Sequence, residues 1–461
     1  MTTVSSLPPR KGRNVELALL LLAVGIVVLA YLNVGLATSG SFPPGLLAHG
    51  TGLLVITLGF HLLLRWRASY ADPLLLPIVT LLNGLGLVMI HRLDIAAGKD
   101  IAEGLALKQL TWSALAVAIA AAVLFFLKDH RTLRRYTFTA AAVGFGLLIL
   151  PLVPGLGRQV YGSRIWIGLG PFSFQPGEIA KIVLAVFFAG YLVQTRDVLS
   201  LAGRKILGFT LPRARDLGPI LVAWAASLAV LIFEKDLGSS LLFFGLFVAM
   251  LYVATERTSW IAIGLLLFSG GAYIAYLLFG HVQQRVLLWL DTFSPQALAV
   301  SDQLARGLMG MANGGLFGSG LGRGRPDLTY FAESDFIVPS FGEEIGLFGV
   351  FALFMLYLLL VERGMRTALG VRDGFGKLLA AGLSFSVALQ CFVVVGGVTR
   401  VIPLTGLTMP FLSYGGSSLL ANWSLVALLL RISDHARRPL PETEMAGPAR
   451  EAEATEVVKL R

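Results

Sequence analysis

The stretch LALLLLAVGIVVLAYLNVGLA, residues 17–37, contains no charged residue. A helix of about 20 residues crosses a hydrocarbon layer of roughly 30 Å, so this run is long enough to span a membrane. Three basic residues, Arg10, Lys11 and Arg13, precede it, and no clear small-residue cleavage site follows. We therefore interpret it as a retained first helix and not as a signal peptide.

The composition of the 461 residues agrees with this interpretation. Hydrophobic residues make up 56% of the chain and charged residues only 14%, whereas a soluble domain carries roughly 25% charged residues. A soluble multi-domain enzyme is excluded, and the long apolar runs exclude a transmembrane β-barrel, whose strands alternate apolar and polar residues. We predict an all-α polytopic membrane protein. The single cysteine, Cys391, permits no intrachain disulfide.

The apolar runs predict about twelve transmembrane helices. They lie near residues 17–37, 46–64, 73–91, 108–127, 136–155, 178–194, 218–233, 238–255, 259–279, 345–362, 378–397 and 415–431. An even number puts both termini on one side, and most of the 37 Lys and Arg residues then fall in segments on that side. Because cytoplasmic loops collect basic residues, we expect both termini in the cytoplasm. The net charge of +10 is thereby explained without nucleic acid.

Two segments between the spans are unusual. The predicted outer loop, 280–344, carries eight glycines within 307–324, and no strand precedes them as a nucleotide-binding fingerprint requires. A loop hinge is therefore favoured over a phosphate cradle. The segment VTRVIPLTGLTMPFLSYGGSS, 398–418, is typical of a re-entrant segment. Such backbone is tolerated at membrane depth only when it is buried in protein or lines a wet cavity.

Charged residues in or beside the spans are candidate functional residues, because burying them in hydrocarbon is unfavourable. Lys108 and Trp112 are four residues apart and lie at the outer end of a span, where both also suit interfacial anchoring. Glu178 and Lys181 share one helix face and can form a structural ion pair or line a cavity. The triplet 234–236 is either the turn of a helical hairpin or the lining of a cavity at a helix break.

Further charges lie on the predicted outer side. Asp335 precedes a predicted helix, a position in which Asp is most often an N-cap, and Glu343 and Glu344 suit the start of the next helix. Four arginines on this side are available to meet an anion, namely Arg158, Arg164, Arg285 and Arg400. None of these residues alone distinguishes an enzyme from a transporter.

Five stretches together resemble the SEDS family (shape, elongation, division and sporulation), which includes RodA and FtsW. They are GSRIWIGLGPFSFQPGEIAKI (162–182), EKDLGSS (234–240), GGLFGSGLG (314–322), SDFIVPSFGEEIGLFG (334–349) and GLTMPFLSYGGSS (406–418). The resemblance implies a transmembrane core at 73–431 that follows a cytoplasmic segment, 1–16, and two extra spans, 17–72. The tail, 432–461, is polar and predicted to be disordered and cytoplasmic. The segment 72–94 and the two extra spans are similar to RodA-type members from actinobacteria.

The resemblance implies a peptidoglycan glycosyltransferase that polymerises lipid II at the outer face of the cytoplasmic membrane, together with a class B penicillin-binding protein. Asp335 matches the family's proposed catalytic aspartate. Glu178 and Lys181 match residues that line its central cavity, and Asp236 matches the aspartate of another motif. We include Lys108, Trp112, Arg164, Arg400 and Ser413 among the candidate substrate-binding residues. Two residues depart from the family's motifs, since Lys235 stands in place of a proline and Arg306 in place of a glutamine. The first departure leaves open the form of the helix break, and the second leaves open the polar contacts of the outer loop.

Polymerisation requires a sugar hydroxyl to attack an anomeric carbon while a lipid pyrophosphate leaves. A carboxylate is the expected general base, and arginines, Lys108 or a divalent cation such as Mg²⁺ or Mn²⁺ are candidates to stabilise the leaving group. Attack opposite the leaving group predicts inversion. The alternatives are a flippase or transporter of the lipid-linked precursor, and a non-catalytic scaffold for a penicillin-binding protein.

Overall fold

A computed structural model describes residues 12–43, 45–160, 163–169, 172–199, 205–206, 209–210 and 217–439. Within these ranges the helices are α1 Arg13–Ser39, α2 Leu46–Arg67, α3 Leu75–Ala96, α4 Leu105–Phe126, α5 Thr137–Ile149, α6 Pro176–Leu199, α7 Gly218–Phe233, α8 Leu237–Thr255, α9 Ser259–Leu278, α10 Gly280–Leu290, α11 Pro295–Val300, α12 Gln303–Gly314, α13 Ile337–Gly370, α14 Gly374–Val398 and α15 Gly416–Arg437. The segment His130–Tyr136 forms a 3₁₀ helix before α5.

The prediction of an all-α polytopic membrane fold is confirmed. In the described part of the chain, eleven helical segments are long and apolar enough to cross a membrane, and α7 is a shorter apolar helix. The count of twelve spans therefore stays a prediction. The N-terminal residues 1–11 and the tail from residue 440 lie outside the described residues, whereas α15 continues to Arg437, so that the first residues of the predicted tail are helical.

Two small antiparallel sheets were not predicted. The first joins β1 Gly157–Val160, β2 Ser163–Leu169 and β3 Phe172–Phe174 in the order β1-β2-β3, between α5 and α6. The second pairs β4 Lys205–Ile206 with β5 Phe209–Thr210. These strands are too short to give an alternating pattern that stands out beside the apolar helices.

The most buried spans, α3 and α15, lie at the centre of the bundle. At one end, which we call the Arg437 end, Asp72 of the α2–α3 connection forms ion pairs with Arg363 of α13, at 2.7 Å, and with Arg437 of α15. The backbone N–H of Asp72 also donates to Ser433 Oγ at 3.0 Å. These contacts hold together the ends of helices that are distant in sequence. Two of them involve residues of α15 that lie beyond the predicted span.

At the other end, which we call the Asp335 end, α13 is interrupted at Gly346, whose φ is 67° and ψ is −175°. The glycine-rich loop after α12 packs on this break, since Leu347 N–H donates to Gly315 O at 3.0 Å and Phe348 N–H to Leu316 O at 3.1 Å. The predicted span beginning at residue 345 corresponds to the part of α13 after the break. The glycines of the loop thus allow its backbone to approach α13 closely.

We expect Gly346→Ala to destabilise the protein. The backbone conformation of Gly346 is one that other residues adopt only with strain of about 1–3 kcal/mol, and an added Cβ would lie 2.2 Å from the backbone nitrogen of Gly318. The melting temperature of the detergent-solubilised protein should fall. Gly270→Ala in α9 is the matched control, because open space surrounds that position. Equal melting temperatures for the two variants would contradict the constraint at Gly346.

Candidate active site

The segment 401–415, which joins α14 to α15, is non-helical and is largely buried among the helices. We call it the re-entrant segment, as the sequence pattern predicts. Gln109 of α4 donates through Nε2 to Ser413 O at 2.9 Å and accepts from Gly415 N–H at 3.1 Å. Gln390 of α14 donates to Thr408 O at 2.9 Å. Both glutamines are fully buried, so their amides replace water as partners for the segment's backbone.

Asp335 lies in the connection before α13, and the re-entrant segment fixes the backbone on its N-terminal side. Ser413 Oγ donates to Ser334 O at 2.6 Å, and Tyr414 N–H donates to Glu333 O at 2.7 Å. The structure therefore brings the predicted residues Asp335 and Ser413 together, with Ser413 acting on the peptide next to Asp335.

The environment of Asp335 favours its protonated form more than water does. Burial raises the pKa of Asp335 most, and a hydrogen bond with its own backbone lowers it. The charge of Glu333 raises this pKa and the guanidinium of Arg285 lowers it, and the resulting pKa is about 7. Arg285 also donates to Leu404 O of the re-entrant segment and interacts electrostatically with Asp236. A carboxyl group with a pKa near 7 is suited to accept a proton from a substrate at neutral pH.

Glu178 and Lys181 form a buried ion pair on α6. Lys181 Nζ lies 3.0 Å from Glu178 Oε2 and also donates to Gln390 Oε1 at 2.7 Å. Because Gln390 binds Thr408 O, the pair is connected to the re-entrant segment through one amide. Glu178 and Lys181 thus form the structural ion pair that was one of the two interpretations of their spacing. Gln390 links this pair to the re-entrant segment at the Asp335 end.

Asp236 is the N-cap of α8 and accepts from Ser239 N–H at 3.1 Å and from Ser239 Oγ at 2.6 Å. The break between α7 and α8 also packs on the re-entrant segment, because a Cβ at Gly238 would lie 2.5 Å from Leu407. Lys235 has a φ of 56°, which the ring of a proline does not allow. Lys235, which replaces the family's proline, therefore adopts a left-handed backbone conformation between α7 and α8 that a proline could not adopt.

The remaining predicted residues are arranged more loosely around this site. Trp112 packs against Gly416, where a Cβ would lie 2.3 Å from the indole, and the Lys108 side chain is exposed in the first turn of α4. The Arg164 backbone N–H donates to Glu234 O at 3.2 Å, and its side chain is exposed. Arg400 donates to the carbonyls of Trp289 and Leu290, both at 3.0 Å, and so caps α10.

The second departure, Arg306, has clear contacts in the outer loop. It forms an ion pair with Asp302, at 2.6 Å, and donates to Leu328 O at 3.0 Å. Its guanidinium also lies over the ring of Tyr330. The arginine therefore connects α12 to the turn at residues 326–330.

Sequence reasoning missed several residues of this end. Arg92 of α3 forms a buried ion pair with Glu344 at 2.9 Å and donates to Gly324 O at 2.7 Å, which ties α3 to the break in α13. The signal that was available for Gln109 and Gln390 is an uncharged polar side chain inside an apolar run. Neither glutamine stands out when charged residues alone are considered.

An apolar cavity of about 310 Å³ lies between α5, α6, α7 and α8. Its walls include Leu148, Phe187, Val222 and Phe247. A space of this kind accepts hydrocarbon chains, because its walls are almost entirely apolar.

The fold and the site together define a polytopic membrane protein whose polar site is built around a buried re-entrant segment. The chain belongs to the FtsW/RodA/SpoVE family of cell cycle proteins, whose family model matches residues 73–438, so the resemblance to the SEDS family is confirmed. The peptidoglycan glycosyltransferase RodA of Mycobacterium tuberculosis is 49% identical over 457 residues, which cover 98% of this chain and 97% of the relative.

Two solved structures are also similar. A chain from a study of how a peptidoglycan synthase complex coordinates polymerization and crosslinking superposes with a TM-score of 0.62 at 26% identity, over 80% of this chain and 99% of that chain. The rod shape determining protein RodA of Thermus thermophilus gives a TM-score of 0.57 at 26% identity, over 81% of this chain and 100% of that one.

We expect Lys181→Met to destabilise the protein strongly. Removing one partner of a buried ion pair leaves an uncompensated charge, at a cost of about 3–5 kcal/mol, and Glu178 would be left in this state. The double variant Glu178→Gln with Lys181→Met should recover much of the loss in thermal unfolding of the detergent-solubilised protein. Lys128→Met, at an exposed lysine, is the control. A double variant no more stable than the single one would show that the pair does not act as a unit.

Proposed function

We propose that the chain is a peptidoglycan glycosyltransferase that polymerises lipid II at the outer face of the cytoplasmic membrane, with Asp335 as the general base. The observation that carries the proposal is the carboxyl group of Asp335, which is partly buried, has a pKa of about 7 and follows a backbone held by the re-entrant segment. The activity follows from family membership and from the names of the relatives.

In the proposed step, the 4-hydroxyl of the acceptor sugar attacks the anomeric carbon of the donor. A new bond forms between that oxygen and that carbon while the bond from the carbon to the pyrophosphate oxygen breaks. Asp335 accepts the proton of the hydroxyl, and the lipid pyrophosphate leaves with the bonding electrons. Attack from the face opposite the leaving group inverts the configuration from α to β.

The leaving pyrophosphate needs positive charge. Arg285 interacts electrostatically with Asp335, so it is the first candidate, and Arg164 and Lys108 have exposed side chains that a substrate can reach. Arg400 has its donors engaged on α10 and is a weaker candidate.

A divalent cation, Mg²⁺ or Mn²⁺, is also proposed as a partner of the pyrophosphate. Mg²⁺ is usually bound by one or two carboxylates plus substrate phosphates and not by a full set of protein ligands. Glu333 is close enough to Asp335 to raise its pKa, so it is the carboxylate best placed to share such an ion with the substrate. The ion would supply charge that stabilises the leaving group.

The rest of the molecule suits a lipid-linked substrate. The apolar cavity between α5 and α8 is proposed to receive part of the polyprenyl tail, while the polar head meets Asp335. With Asp335 on the outer side, both termini lie in the cytoplasm, as the distribution of basic residues favours. A class B penicillin-binding protein is the proposed partner, because the chain resembles part of a peptidoglycan synthase complex.

We expect Asp335→Asn and Asp335→Ala to lose at least 100-fold in polymerisation of lipid II, because general-base catalysis contributes about 10²–10⁴-fold. The assay uses purified protein with its partner, followed by separation of the glycan products. Asp291→Asn, at an exposed carboxylate of the same outer loop, should polymerise like the wild type.

Provided that the variants fold and bind the partner, this assay distinguishes a glycosyltransferase from a transporter and from a scaffold. Normal polymerisation by both Asp335 variants would overturn the general-base assignment. Lipid II flipping in liposomes by a polymerisation-dead variant would favour a transporter. No polymerisation by the wild-type protein, with activity found in the partner alone, would favour a scaffold.

The pH dependence should follow the charges around Asp335. The base is active when deprotonated, so kcat/KM should rise with pH through a limb at about 7. Arg285 lowers the pKa of Asp335, and Arg285→Gln should therefore move this limb to higher pH. Glu333 raises it, and Glu333→Gln should move the limb to lower pH. A limb that stays in place in both variants would exclude Asp335 as its origin.

A further inference from the structure

A second cluster of chemistry-bearing side chains lies at the Arg437 end of the bundle, opposite the site already described. Asp129 is the N-cap of the 3₁₀ helix that follows α4, His130 is the first residue of that helix, and His435 lies in the last turn of α15. One potential ligand atom from each of the three residues lies within 4.8 Å of the others. The rings of the two histidines meet edge to face, with centroids 5.2 Å apart.

His130 has a ring nitrogen without a hydrogen-bond partner. Its side chain is fully buried, and Nδ1 makes no hydrogen bond but lies 3.6 Å from Asp129 Oδ1. The other nitrogen, Nε2, lies 2.8 Å from Asp373 Oδ2. Because a carboxylate only accepts hydrogen bonds, Nε2 donates to Asp373, and Nδ1 is the ring nitrogen left to bind a ligand.

Asp373 is itself fixed in place. It is the N-cap of α14 and accepts from Gly376 N–H at 2.7 Å. Gly376 leaves room for the imidazole, since a Cβ there would lie 2.5 Å from His130 Nε2. Arg131 shares Asp373 Oδ2 at 3.4 Å, so the charge of this neighbouring guanidinium is partly balanced by the same carboxylate.

We propose that Asp129, His130 and His435 bind a divalent transition-metal ion, with Zn²⁺ as the best match. Two imidazoles and one carboxylate are ligands that Zn²⁺ prefers, and three protein ligands leave a fourth position for water. Metal-binding histidines usually donate their second N–H to a carboxylate that orients the ring, and Asp373 does this for His130. A bound ion connects the segment after α4 to the end of α15, with the start of α14 behind it.

The test uses the full-length protein in detergent, with its affinity tag removed and its metal stripped by a chelator. We expect the wild type to take up one Zn²⁺ per chain, measured by equilibrium dialysis and elemental analysis, and to melt at a higher temperature with Zn²⁺ than without. His435→Gln and His130→Asn should weaken binding at least tenfold. Asp373→Asn keeps all three ligands and should weaken binding roughly 10–100-fold through lost orientation.

His281→Gln is the matched control, because His281 lies in α10 at the Asp335 end and should leave Zn²⁺ binding unchanged. His435 is only partly buried, so its variant keeps the proposal testable if the change at buried His130 prevents folding. A wild type that binds no stoichiometric Zn²⁺ would overturn the proposal. The same conclusion follows if His435→Gln binds Zn²⁺ as tightly as the wild type.

Discussion

The satisfaction of backbone polar groups in the re-entrant segment is the constraint on which this structure depends. The segment lies among spanning helices, where an unpaired N–H or C=O group costs several kcal/mol and water is not at hand. Gln109 and Gln390 supply side-chain partners, and Tyr357 donates to the carbonyl of Pro410. On α3, Gly86 lets the carbonyl of Leu412 come close, because a Cβ there would lie 2.3 Å from it. The segment therefore fixes the positions of α3, α4, α13 and α14 at this end.

The same constraint explains why the candidate base lies in a connection and not within a helix. The carbonyls of Glu333 and Ser334 are partners for the re-entrant segment, so the backbone before Asp335 is held by a neighbour that is itself held on several sides. The buried ring of Phe336 anchors the residue on the other side. The backbone on both sides of Asp335 is therefore held in place, and this fixes the point from which its carboxyl group extends.

The sequence was informative where a signal is local. Long apolar runs give the spans, the spacing of Glu178 and Lys181 places them on one face, and the Pro and Gly content marks the re-entrant segment. The spacing of residues does not predict the hydrogen bonds of Gln109 and Gln390, because the partners of both side chains lie in another part of the chain. The helical turns from Ile337 to the break at Gly346 fall mostly within the predicted outer loop, 280–344, because their acidic and glycine residues resemble a loop. Arg92 and Glu344 are far apart in the chain, and only the fold brings the two charges together.

The distribution of charge around Asp335 follows from this arrangement. Lys181 is neutralised by Glu178, and Arg285 is shared between Asp236 and Asp335. Burial raises the pKa of Asp335, a hydrogen bond with its own backbone lowers it, and the charges of Glu333 and Arg285 adjust it in opposite directions. Arg285 is held by the carbonyl of Leu404, which belongs to the re-entrant segment. One segment thus determines both the position of the carboxyl group and the charge that adjusts its pKa, and a displacement of this segment would change the geometry and the proton affinity of the site together.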